Sequence, residues 1–143
     1  MSLLSPKRIL VCVDGSEAGF RAADFAMTFA SGIRSKLIFL NIVGASASEH
    51  DYEITADMVG SFETLGMESL SRCEDKAKRT GLQYEIVQAS GDPVEEILKQ
   101  SEATESDCIV MGRMPLSRVE KLIVDSVSEE VLKRSKLPVI IVK

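Results

Sequence analysis

The chain has 143 residues and a mass of 15.6 kDa, the size of one domain (1–143) with a full hydrophobic core. Its 45% hydrophobic and 27% charged residues exclude disordered, collagen-like and disulfide-scaffold classes. A formal net charge of -5, from 17 Lys and Arg against 22 Asp and Glu with no basic stripe, argues against nucleic acid or an anionic membrane surface as partner. No apolar run approaches the ~18–20 residues of a membrane span. Residues 1–10 are too short and interrupted for a signal peptide, so a cytoplasmic location is expected. Cys12, Cys73 and Cys108 are odd in number and widely spaced, which fits neither a disulfide framework nor a zinc site. They read as small buried hydrophobes in a reducing compartment. His50 is the only histidine and sits in a polar stretch, so no multi-histidine metal site is available.

Residues 8–13 (RILVCV) form a largely β-branched run that stops at Asp14-Gly15, as a buried parallel strand requires. Ser16 then supplies an N-cap, and Phe20, Ala23, Met27 and Ala30 recur at helical spacing up to Gly32. Residues 36–43 (KLIFLNIV) are a second strand, followed by a loop of small and acidic residues over 44–54. Val59, Phe62, Gly66, Leu70, Cys73 and Ala77 mark one face of a long helix closed by Gly81 in a left-handed cap. Gly60 and Gly66 weaken its first half by about 1 kcal/mol each relative to alanine.

Residues 83–89 are a third strand. Asp92 as N-cap, Pro93 at the first helical position and Glu95 closing a capping box start a short helix with Val94, Ile97 and Leu98 inward. Residues 107–111 (DCIVM) are strand four and run into a Gly112-Arg113-Met114-Pro115 loop. A short helical turn is expected over 116–124, and a capping box of Ser126 and Glu129 starts a helix reaching Arg134. Residues 138–142 (PVIIV) are strand five. This alternation predicts one open, doubly wound α/β sheet of mostly parallel strands, with ligands bound beside strand one at the strands' carboxyl ends.

Two loops there carry chemistry. Asp14 is placed to accept hydrogen bonds from a sugar hydroxyl or base amine, or to form the turn that caps the following helix. Gly112, the cations Arg113, Arg118 and Lys121, and the helix start at Asp125-Ser126 follow strand four. Ser126 either helps to hold a phosphate at a helix N-terminus or merely caps its helix. No general base is paired with a nucleophile, no acidic cluster suits Mg²⁺ and no lysine sits in a phosphate loop, so no enzymatic activity is expected.

The segments ILVCVDGSE, GDPVEEIL, DCIVMGR and DSVSEEVLKRSKLPVIIVK, in this order and spacing, resemble the universal stress protein family over essentially the whole chain. The resemblance implies a single open five-stranded parallel sheet, doubly wound, strand order 3-2-1-4-5, of the adenine nucleotide alpha hydrolase-like type. It also implies a stress-response or regulatory role and a homodimer formed through the last strand, residues 138–142, whose open apolar edge would otherwise invite aggregation. Nucleotide-binding members carry G-x-x-G-x9-G-[ST] after strand four. Gly112 and Ser126 match its ends, but its second and third glycines are Pro115 and Asp125. Pro115 has no N–H to offer a phosphate, and Asp125 adds a negative charge beside it. By the same resemblance Asp14 contacts the adenosine, Ile42 lines the adenine pocket and Val127 adds a backbone amide near Ser126. No cofactor is certain. Weak or no ATP binding is expected, with AMP or ATP held by a surviving adenosine half-site as the alternative.

Overall fold

Apolar side chains on both faces of the central strands demand cover on both sides, and the connections supply it. The structure, a computed structural model, describes residues 5–44, 56–113 and 127–143. β1 (Arg8–Cys12), β2 (Lys36–Gly44), β3 (Tyr84–Gly91), β4 (Cys108–Gly112) and β5 (Val139–Val142) form one parallel sheet in the order β3-β2-β1-β4-β5. Among the described residues four helices connect them: α1 (Glu17–Ile33), α2 (Ala56–Thr80), α3 (Pro93–Ala103) and α4 (Val127–Arg134). The strand alternation sorts the core into two layers. Ile9, Val11, Leu37 and Phe39 point to α1 and α2, while Leu10, Cys12, Ile38 and Leu40 meet Ile97 of α3 and Val131 of α4. The expected strand order and winding are those observed.

Element ends agree with expectation to within about two residues, with three informative differences. α1 passes through Gly32 and ends at Arg34, which takes the left-handed conformation with φ 57° in place of a glycine. Gly81, at φ 71°, closes α2 as expected. Asp92 caps α3 by accepting from the Glu95 N–H at 3.0 Å. The Glu95 carboxylate does not complete the capping box: it accepts from Arg134 Nη2 at 2.6 Å and ties α3 to α4. On α2 the buried residues are Gly66, Leu70, Cys73 and Ala77, whereas Phe62 is 45% exposed. The loop over 45–54 with His50, the turn over 116–124 and the helix start at Ser126 lie outside the described residues.

α1 approaches the sheet closely because its inner face is small: Ala22, Ala23, Ala26 and Ala30 are all buried. At the carboxyl edge the approach becomes backbone against backbone. A Cβ on Gly112 would stand 2.5 Å from the carbonyl carbon and oxygen of Ala18 and 2.9 Å from the Gly19 nitrogen. Gly112 therefore has a packing reason to be glycine, independent of any ligand.

Candidate functional site

β1 ends on Asp14, and the chain turns at Gly15 with φ +85°, a conformation that favours glycine. Asp14 Oδ1 accepts from the Ser16 N–H at 3.0 Å and from the Ser16 hydroxyl at 2.6 Å. The same hydroxyl accepts from the Gly19 N–H at 3.0 Å and so caps α1. Asp14 thus does form the expected turn. Its second carboxylate oxygen has no hydrogen bond to any described residue, so the turn leaves one acceptor for a ligand.

β2 contributes the floor. Asn41, 94% buried by its 6% exposure, donates from Nδ2 to the Val13 carbonyl at 2.9 Å and joins the end of β1 to β2. Gln88 of β3 donates from Nε2 to Asn41 Oδ1 at 3.2 Å and to the Glu63 carbonyl of α2 at 2.9 Å. A side chain at position 66 would collide with the Asn41 amide. Gly66, which costs helix propensity, is what lets α2 lie against this polar floor.

Between these groups lies a cleft of about 540 Å³. Asp14, Gly15 and Phe20 form one wall, the residues from Asn41 to Gly44 the floor, and Phe62, Leu65, Ser69 and Arg72 of α2 the other wall. The Arg72 guanidinium carbon sits 4.0 Å from the centroid of the Phe20 ring, a cation–π contact across the cleft. Asp14 and Glu68 are the carboxylates of the lining, and Arg72 is its cation, among the described residues.

Of the expected site residues, Asp14 and Ile42 meet in this cleft. Ile42 also packs partly against the core on the α3 and α4 side. Gly112, Arg113 and Val127 do not line it. They lie at the end of β4 and the start of α4, where the Arg113 N–H bonds the Val142 carbonyl at 3.0 Å and its guanidinium stands 3.7 Å from Glu129. Val127 packs against the α3 and α4 core. Pro115, Arg118, Lys121, Asp125 and Ser126 fall outside the described residues.

The cysteines contribute no chemistry to this edge. All three are buried, and burial pushes the Cys12 thiol up to about 12 and those of Cys73 and Cys108 to about 11. They stay protonated and unreactive at neutral pH. Among the described residues no group of three His, Cys, Asp or Glu is placed to hold a metal ion, and no helix is long and apolar enough to cross a membrane.

Fold and cleft define a doubly wound α/β protein with a ligand-sized crevice at the carboxyl ends of β1 and β2, the edge of the sheet at which such folds bind ligands. The family model described as "Universal stress protein family" matches residues 6–143, and the chain belongs to the universal stress protein family. It is 27% identical over 142 residues to universal stress protein MJ0531 of Methanocaldococcus jannaschii, covering 96% of this chain and 82% of that protein. It is 28% identical over 146 residues to universal stress protein YxiE of Bacillus subtilis, covering 95% and 98%. The crystal structure of a universal stress protein in complex with cAMP matches at a TM-score of 0.76 and 26% identity, over 96% of this chain and 97% of that one.

Proposed function

We propose that this protein is a single-domain, non-enzymatic stress-response regulator of the cytoplasm that holds adenosine or AMP in the cleft, binds ATP weakly or not at all, and works as a homodimer. The observation that carries the reading is the uncommitted Asp14 oxygen at the mouth of a cleft large enough for a nucleoside. The similar protein in complex with cAMP, a ligand with a single phosphate, supports the same choice. Pro115 and Asp125 stand where nucleotide-binding relatives carry glycines for a polyphosphate, which sets ATP apart from AMP. A sensor that takes up both AMP and ATP is the second reading.

Asp14→Ala separates the ligand role from the turn role. The variant is expected to weaken adenosine binding about tenfold or more, the loss of a hydrogen bond to a charged group. Ser16→Ala removes the cap and costs about 0.5–2 kcal/mol of stability, yet keeps the carboxylate and should bind adenosine nearly as the parent does. Equal binding by Asp14→Ala and the parent in calorimetry would remove Asp14 from the site.

β5 supports the homodimer because, among the described residues, it is paired along one edge alone, with β4. The carbonyls of Pro138 and Val142 face β4, accepting from Ile109 and Arg113. By strand alternation Val139 and Ile141 direct their N–H groups to the open edge. Sedimentation of the parent should give twice 15.6 kDa, and Ile141→Pro, which removes one open-edge donor, should give the monomer. A monomeric parent at micromolar concentration would contradict the dimer.

A further inference from the structure

β1 parts from β2 just before Asp14. Their pairing ends with Cys12 opposite Leu40, and the Val13 N–H still reaches the Leu40 carbonyl at 2.8 Å, while β2 runs on to Gly44. The Val13 carbonyl is then taken by a side chain, Asn41, which donates to it from Nδ2 at 2.9 Å. That carbonyl shares a rigid peptide plane with the Asp14 nitrogen, so the bond fixes where the Asp14 Cα stands. Alternation puts Asn41 on the sheet face of Leu37 and Phe39, where an apolar side chain would extend the core without burying an amide. Its orientation is set from β3. Gln88 donates to Oδ1 at 3.2 Å; turned over, the Asn41 amide would aim its oxygen at the Val13 carbonyl and its NH2 at that of Gln88. Gln88 is held in turn by the Glu63 carbonyl of α2 at 2.9 Å. Asp14 is also fixed at its other end: Ser16 holds Oδ1, and a Cβ on Gly19 would stand 2.5 Å from that oxygen.

We propose that Asn41 is a positioning residue for the ligand: through the Val13 carbonyl it sets the backbone at Asp14 so that, with Oδ1 engaged by Ser16, the second oxygen is presented to the cleft. The inference rests on the reading of Asp14 as the carboxylate that receives adenosine. Fixing the acceptor beforehand raises affinity, because the ligand need not order the group that it meets. Gln88 acts one step further out, by keeping the donor end of the Asn41 amide on Val13.

The test titrates adenosine by calorimetry into the parent, Asn41→Leu, Asp14→Ala and the double variant. Asn41→Leu keeps the size of the side chain and loses both amide contacts, and it should bind adenosine about tenfold more weakly than the parent. Added to Asp14→Ala it should cost nothing further, because the carboxylate through which Asn41 acts is gone. A purely structural role would leave the affinity of the folded variant unchanged or lower it by the same factor in both backgrounds. Gln88→Met, which removes the donor to Oδ1 and leaves Asn41 in place, should weaken binding about threefold and supplies the test if Asn41→Leu does not fold. Parent-like affinity in the folded Asn41→Leu or Gln88→Met protein overturns the inference, as does a full additional loss in the double variant. A parent that binds no adenosine, or an Asp14→Ala variant that binds as the parent does, overturns the reading of the site on which the inference rests.

Discussion

Gly112→Ala is expected to lower stability by about 3 kcal/mol, at the upper end of what an inserted methyl group costs in a packed interior. The size follows from what the new Cβ would meet. Its nearest neighbours would be the Ala18 carbonyl group at 2.5 Å and the Gly19 nitrogen at 2.9 Å, all backbone atoms of the first turn of α1. A side chain could rotate away, but this turn is held by the Ser16 cap and by alanines packed against the sheet. The collision therefore displaces either α1 or the end of β4. In urea unfolding the midpoint should fall by roughly 1–2 M with an unchanged slope. Gly32→Ala is the control: nothing lies within 4 Å of its added Cβ inside α1, so it should be neutral or stabilising by up to about 1 kcal/mol. If Gly112→Ala unfolds at the parent's midpoint, β4 and α1 are not in backbone contact.

The second large effect concerns ATP. Restoring glycine at both departures from the family's phosphate loop, Pro115→Gly with Asp125→Gly, should tighten ATP binding by a factor of about ten to a thousand. The first change returns an N–H donor and glycine's conformational freedom. The second removes a like charge whose repulsion at a few ångströms is worth ~1–4 kcal/mol, according to the local dielectric. AMP should respond less, because one phosphate carries less charge to the loop than three and needs fewer of its donors. The pair of results is diagnostic: a gain for ATP larger than for AMP traces the obstacle to the polyphosphate. A double variant that binds ATP no better than the parent would show that Pro115 and Asp125 are not what limits ATP.

The fold was legible because its signals are local. Buried parallel strands leave continuous runs such as ILVCV and KLIFL, and Ser16, Asp92 and Gly81 punctuate the helices where caps are required. The strand order came from the resemblance to the family, since periodicity says which segments are strands but not which are neighbours. The site was legible in part. Asp14 stood out as a carboxylate ending an apolar strand, whereas the α2 wall did not, because Phe20 and Arg72 meet only across some fifty residues of sequence. Gly66 read as a weak point of a helix, yet it is where the helix must touch Asn41. One signal was available: Asn41 is the lone polar residue within LIFLNIV, residues 37–43, and a buried amide needs partners, here Val13 and Gln88. The pairing of Glu95 with Arg134 was not readable, since both the capping box and the inter-helix ion pair are compatible with the same local sequence.

The central claim is that the cleft takes adenosine with one phosphate and not three. Calorimetric titration of nucleotide-stripped parent protein with AMP, and separately with ATP and Mg²⁺, addresses it directly. The account predicts saturable AMP binding and ATP binding weaker by at least about tenfold. ATP bound as tightly as AMP, or no binding of either at millimolar concentration, would contradict it.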